Sequence, residues 1–346
     1  MYIVYRESGD IFNALDGNVN KNENYFCPLC RSKVIFKKGI KINSHFAHVK
    51  NSNCKLNTYK KESKEHLQVK EQLYKHLKNK YEKVKLEHIF KTRDSLQIAD
   101  VYLENLNIAI EYQRSVIPFS ELKNRTLGYE NAGIKLIWLI DTNKFVKELK
   151  VQNNIVHIRY APFVDNFLNY HKGCVFFYGY DRECQNIIFY QLWAHNLKRR
   201  NAICKKIVVP LNKLSFPLDF KFFKEDNVTT IYKSDVENYI YKQLKFDKTV
   251  KNKLLSSLYN QRIALNNIPK EIGFNINEQL LIRTPLLIWQ AEYYRLFNDN
   301  KTYNEIVSYM LNYLELKNSI YISTKDKNQI LMNVINSYYK LLLKKE

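Results

Sequence analysis

L-Q-I-A-D-V-Y-L-E-N-L-N-I-A-I-E-Y-Q-R, residues 96–114, contains two β-prone runs, 96–103 and 107–114, separated by a few residues around Asn105. Two such runs so closely joined read as an antiparallel hairpin. If Asn105 and Leu106 form a two-residue turn, Asp100 lies opposite Glu111, and strand alternation puts Gln113 on the face of Glu111. Directly opposed Cβ atoms are about 5 Å apart, close enough for both carboxylates to hold one hard cation. Two carboxylates among apolar residues repel and resist desolvation unless positive charge compensates them. Mg²⁺ or Mn²⁺ would do so, and would also orient and acidify a water for phosphodiester hydrolysis. The plainer alternative is a pair of solvated carboxylates on the open face of a half-covered sheet.

On either side of the hairpin the pattern is α/β. Upstream, Leu67, Leu73, Tyr74 and Leu77 recur at helical spacing within 61–80, with Ser63 placed to cap the helix, and 84–90 is a third β-type run. Downstream, Phe119, Leu122 and Leu127 mark a helix running from Pro118 to Gly133, and 134–140 reads as a buried strand. Helix, three strands, helix and strand make a layered α/β core over 61–150. Glu62, His66 and Lys70 fall at i, i+4 and i+8 on the first helix. They could bring a carboxylate to the metal and a His and a Lys to a phosphate; a solvated polar face is the simpler reading.

Residues 1–60 hold short β-type runs together with the closely spaced Cys and His of the chain. Cys27-Pro28-Leu29-Cys30 puts two thiolates on one turn, followed by His45-Phe46-Ala47-His48 and Cys54. This spacing suits a closed, structural Zn²⁺ site. Cys27 and Cys30 are one half of it; His48 with Cys54 is the preferred other half, and His45 with His48 also fits. His171, Cys174 and Cys184 are poorly spaced and read as ordinary residues. Region 151–346 mixes β-type pieces at 155–160, 175–180 and 207–209 with aromatic-rich stretches expected to be helical, and becomes mainly helical from about Val236. No motif in that region identifies a chemistry.

With 55 Lys and Arg against 34 Asp and Glu, the 346-residue chain carries a net charge of +21. Such a surface is expected to meet a polyanion, most simply nucleic acid. Lys198, Arg199 and Arg200, with Lys205, Lys206 and an abundance of aromatics (26 Tyr and 19 Phe), could line a groove for single strands. Acidic residues interrupt the first twenty positions, so no leader peptide is expected, and the best apolar run, 134–140, cannot span a bilayer. A cytoplasmic protein is expected. Six Cys are too few for a disulfide framework.

Over residues 1–145 the chain resembles the competence protein CoiA family. The resemblance rests on C-P-L-C at 27–30, H-F-A-H at 45–48, E-S-K-E-H-L-Q-V-K at 62–70, I-A-D-V at 98–101 and A-I-E-Y-Q-R-S at 109–115, with Arg125 and Tyr129 following. It implies a role in natural transformation and DNA recombination, and a PD-(D/E)XK (restriction-endonuclease-like) core that hydrolyses DNA. On that reading Asp100 is the first metal carboxylate, Glu111 the second, and the Tyr112 carbonyl a backbone ligand. Gln113 stands where the wider superfamily has Lys and cannot supply its charge, a role left to His66 or Lys70. Arg125 is the candidate phosphate clamp. The implied partners are single-stranded or branched DNA and recombination proteins. A catalytically weak DNA-binding accessory protein is the competing reading, and nothing in the sequence decides between DNA and RNA.

Overall fold

The computed structural model describes residues 1–39, 42–49, 54, 62–91, 96–195, 197, 200–223, 230–247 and 249–344. The chain divides into two compact units. One comprises Met1–Lys144, Gly179–Ile188 and Val208–Asp219, and the other Phe145–Tyr178, Phe189–Ile207 and Phe220–Glu346.

The first unit begins with five strands, β1 (Ile3–Arg6), β2 (Ile11–Asn13), β3 (Tyr25–Phe26), β4 (Lys33–Gly39) and β5 (Ile42–His48), in the order β2-β1-β3-β4-β5. Phe12, Tyr25 and Phe46 pack ring to ring at tilted and edge-on angles with Val4, Val34 and Cys27 in a small core. Next come α1 (Lys64–Lys78), β6 (Val84–Lys91), β7 (Leu96–Leu103), β8 (Ile108–Gln113), α2 (Phe119–Asn131), β9 (Lys135–Asp141) and the short α3 (Thr142–Phe145). β6, β7 and β8 are antiparallel and β9 is parallel to β8, so α2 is the crossover between two parallel strands. On its other side β9 pairs in parallel with Gly179 and Tyr180. This is the expected α/β core.

The hairpin that decides the site has the expected register. Val101, Tyr102 and Leu103 face Ile110, Ala109 and Ile108. Its turn differs from the expected one: Glu104–Leu106 form a single 3-10 turn and Asn107 takes the left-handed conformation, φ 54° and ψ 42°. Asn tolerates this conformation better than most residues. It is held there by the Tyr102 hydroxyl, which donates to Asn107 Oδ1 at 2.8 Å, and by its own amide, which donates to the Gly133 carbonyl at 2.7 Å.

The second unit is built on the larger parts of β10 (Val146–Gln152), β11 (Ile155–Tyr160), β12 (Asn169–His171), β13 (Cys174–Asp181), β14 (Asn186–His195) and β15 (Asn201–Pro210). They run in the order β10-β11-β15-β14-β13, with β12 on β13. Helices α4 (Lys233–Phe246), α5 (Lys253–Asn260), α6 (Leu286–Asn298), α7 (Tyr303–Tyr313) and α8 (Thr324–Leu343) follow. The expectation of a mostly helical C-terminal region therefore holds only from Lys233 onward. Aromatic-rich stretches such as N-I-I-F-Y-Q-L-W at 186–193, expected to be helical, are strands, because β-branched and aromatic side chains suit a pleated, buried surface. Trp289, Tyr293, Ile306, Val334, Ile335 and Tyr338 form the core of the late helices. Among the described residues no helix is long and apolar enough to cross a membrane.

Candidate active site

Ser63 caps α1, its hydroxyl accepting from the His66 N–H at 3.2 Å, and Glu62 lies just ahead of this cap. From the first turns of α1, His66 and Lys70 reach toward β7. His66 Nε2 lies 3.0 Å from both oxygens of Asp100 and 3.8 Å from Glu62 Oε1. The Lys70 ammonium donates to Glu62 Oε1 at 2.8 Å and to Glu87, and stands 3.8 Å from Asp100. Lys70 is only 2% exposed, so its charge is balanced by these carboxylates rather than by water.

Asp100 Oδ2 also accepts from the Tyr112 N–H at 2.9 Å. A side chain rather than the β7 backbone takes that N–H, and the paired stretch of the hairpin ends at Val101 and Ile110. Burial pushes the Asp100 carboxyl up, but His66 and Lys70 beside it hold it below the usual range. Burial likewise pushes His66 down, and Asp100 and Glu62 carry it above its ordinary value.

Glu111 has a different environment. It accepts from Arg125 Nη2 at 2.7 Å and from the Tyr129 hydroxyl, while the Arg125 guanidinium lies 5.1 Å from the Trp138 ring centre. Burial raises its carboxyl to about 7, against the pull of Arg125. Gln113 donates to the Ser115 carbonyl, and Arg114 pairs with Asp141 at 2.7 Å. Glu62, His66, Lys70, Asp100, Gln113, Arg114 and Arg125 all line one cavity of about 650 Å³.

Ligand atoms of Glu62, His66 and Asp100 lie within 4.8 Å of one another and could hold a metal ion. Among the described residues the metal-competent group around Asp100 thus draws on α1, and Glu111, expected as the second ligand, is engaged by Arg125 and Tyr129. Glu87 was not legible as a site residue. It is buried, φ 48° places it in the left-handed region, and besides Lys70 its carboxylate accepts from the Tyr2 and Ile3 N–H groups at 2.7 and 3.1 Å. The one signal in the sequence was an acidic residue inside the β-type run 84–90, between Leu86 and His88.

A second group that could hold a metal is Cys27, Cys30, His48 and Cys54, again with ligand atoms within 4.8 Å. The turn between β3 and β4 is closed by the Arg31 N–H on the Cys27 carbonyl and the Cys27 N–H on the Ser32 carbonyl, and the Leu29 N–H points at Cys27 Sγ from 3.4 Å. Cys30 Sγ is 3.3 Å from His48 Nε2. Burial pushes the Cys27 thiol up to about 11; burial also acts to raise Cys30, but hydrogen bonds from Ser32, His48 and Cys54 bring it to about 6. His45 is three residues before His48 on β5 and faces the other side of the strand, so it is not part of the group. Of the basic cluster, Arg200 belongs to the second unit, and Lys198 and Arg199 lie outside the described residues.

Comparison with known proteins covers nearly the whole chain. Residues 15–57, 62–223 and 231–346 match the family models for the N-terminal domain, the nuclease-like domain and the C-terminal domain of competence protein CoiA. Competence protein CoiA of Bacillus subtilis (strain 168) is 22% identical over 311 residues, covering 84% of this chain and 77% of that protein. No solved structure matches. With all three of its parts matched in order, this chain belongs to the competence protein CoiA family.

Proposed function

We propose that the chain is a metal-dependent nuclease that hydrolyses DNA phosphodiester bonds during natural transformation, acting on single-stranded or branched DNA alongside recombination proteins. The observation that carries this reading is the cluster of Glu62, His66 and Asp100 on a cavity whose walls also present Arg114 and Arg125. The donor geometry fits an ion: neighbouring ligands of an octahedral Mg²⁺ are about 3.0 Å apart, and His66 Nε2 is 3.0 Å from Asp100. Glu62 Oε2 is buried and makes no hydrogen bond among the described residues; the Met1 ammonium stands 3.7 Å from it, so a bound metal would add a direct bond to an atom now held only by a longer ion pair. When bound, the metal would supply an acidified water and neutralise charge growing on the phosphate.

The protein's own groups divide the remaining work. Lys70 fixes the orientation of Glu62 and supplies, from α1, the positive charge that Gln113 cannot give at the usual Lys position. Arg125, anchored on Glu111, offers its remaining N–H groups to a phosphate oxygen. His66 offers its Nε2 lone pair to the ion as the third protein ligand. The N-terminal tetrad is proposed to hold structural Zn²⁺. Three thiols and an imidazole are its preferred donors, and the 3.3 Å between Cys30 and His48 is near the roughly 3.6 Å edge of a zinc tetrahedron.

One observation favours the accessory reading. Asp100 and Glu111 are already compensated by His66, Lys70, Arg125 and Tyr129, so the fold does not need a metal to neutralise them. The deciding experiment is cleavage of single-stranded, duplex and branched DNA with Mg²⁺, Mn²⁺ or EDTA, alongside Asp100→Asn and Glu62→Gln. Metal-dependent cutting reduced at least about a hundredfold in both variants supports the nuclease. Intact DNA binding without cutting by the wild type supports the accessory protein.

A further inference from the structure

The second unit contains a cavity of about 710 Å³ that the nuclease reading does not use. Three of its lining residues are cationic, Arg200, Arg283 and Lys317, and one is anionic, Asp165. Lys317 donates to Asp165 Oδ1 at 2.9 Å. The same carboxylate also faces Arg200, whose Nε is 3.9 Å from Asp165 Oδ2, too far for a hydrogen bond. That Nε–H is buried and has no acceptor among the described residues. Arg200 is held there in a left-handed backbone conformation, φ 61°, which a side chain larger than glycine adopts at some cost.

One carboxylate thus serves two cations, and with the exposed Arg283 the cavity has two positive charges in surplus. A buried guanidinium N–H without an acceptor is costly, and an anionic ligand would relieve it. The residues that open α6, Pro285, Leu286 and Leu287, line the same cavity, and no side chain caps that helix, so its positive end adds to the field. The cavity is much larger than a phosphate ion and lies within the range of small-molecule sites. Its remaining walls pair apolar surface from Tyr239 and Ile282 with polar side chains from Asn166 and Asn318. A phosphomonoester carries close to two negative charges at neutral pH, which matches the surplus.

We propose that this cavity binds a nucleoside 5′-monophosphate moiety, its phosphate among Arg200, Arg283, Lys317 and the start of α6 and its base against Tyr239 and Ile282. The moiety could come from a free nucleotide or from the 5′-phosphorylated end of a DNA strand. The site does not depend on the nuclease reading, since none of its residues belongs to the Asp100 cavity.

The test is calorimetric titration of the full chain, without added divalent metal, with deoxyadenosine 5′-monophosphate, deoxyadenosine, inorganic phosphate, and one short oligonucleotide in 5′-phosphorylated and 5′-hydroxyl forms. The expected result is that the nucleotide binds at least about tenfold more tightly than either deoxyadenosine or phosphate. Arg200→Gln and Arg283→Gln should each weaken it about tenfold. Arg283 is exposed, and its variant should keep the wild-type melting temperature, which separates lost binding from lost folding. Preference for the phosphorylated oligonucleotide would identify strand ends as the source, and nucleotide binding without that preference would identify free nucleotide. Nucleotide binding no tighter than phosphate, or unchanged in both Arg variants, would overturn the proposal.

Discussion

His66 Nε2 on α1 is equidistant, at 3.0 Å, from the two oxygens of Asp100 on β7. Each partner shifts the other's proton affinity: His66 is raised above 6.5 and Asp100 lowered below 3.8, both against the effect of burial. The raised His66 stabilises the fold fully below its unfolded value of 6.5, and this contribution is lost as pH climbs through the folded value. The lowered Asp100 contributes above 3.8 and is lost as pH falls through its folded value. The two overlap in mildly acidic solution. Urea titrations of metal-free wild type and His66→Gln should therefore differ most near pH 5–6 and converge as pH rises toward 9; a gap that widens with rising pH would contradict the pairing.

Lys70 makes the sharpest stability prediction. Its ammonium is buried among Glu62, Glu87 and Asp100, and Lys70→Met would leave all three without it. Breaking a buried ion pair from one side costs about 3–5 kcal/mol. Equilibrium denaturation should show a loss of that order, and a loss below about 1 kcal/mol would mean that water already reaches these carboxylates.

The proposed metal should be a transition ion by preference. An imidazole nitrogen among the donors favours Mn²⁺ over Mg²⁺, which seeks oxygen ligands and gives up water reluctantly. Calorimetry with each ion should show tighter Mn²⁺ binding to the wild type, with the difference narrowing in His66→Ala. Equal affinities in the wild type would remove His66 from the ligand set.

In the N-terminal module, purified protein should contain one equivalent of zinc by elemental analysis, and Cys27→Ser or Cys54→Ser should lower it. The module's core is small, centred on Phe12, Tyr25, Val34 and Phe46. Structural zinc contributes on the order of 10 kcal/mol to the folding of small domains. A strong chelator should therefore expose this segment to protease before the rest of the unit. His45→Ala should leave the zinc content unchanged, because that side chain faces away from the group.

Much of the first unit was legible because its signals are local. Ser63 before His66, Pro118 before Phe119 and the β-prone run around Asp100 each act within a few residues, and the elements fall where these signals point. The hairpin register followed even though its turn was misread, because a four-residue turn centred on the same residues keeps the same partners facing. What the sequence could not reveal was which side chain would neutralise which. Glu111 turns to Arg125 and Tyr129 on α2, whereas Asp100 turns to α1, a choice made by packing between elements. The strand at 186–195 was missed for a related reason, since a long buried aromatic run has no period that separates strand from helix, while that at 201–210 was read only over 207–209.

The shared ammonium of Lys70 also bears on how sequences of relatives can be read. Glu62, Lys70 and Asp100 neutralise one another within the fold, so selection for a folded protein alone would keep them together. A relative without nuclease activity would still display the same residues. Their persistence in a lineage therefore records the integrity of the fold as much as any catalysis, and only isosteric replacements such as Glu62→Gln can separate the two histories.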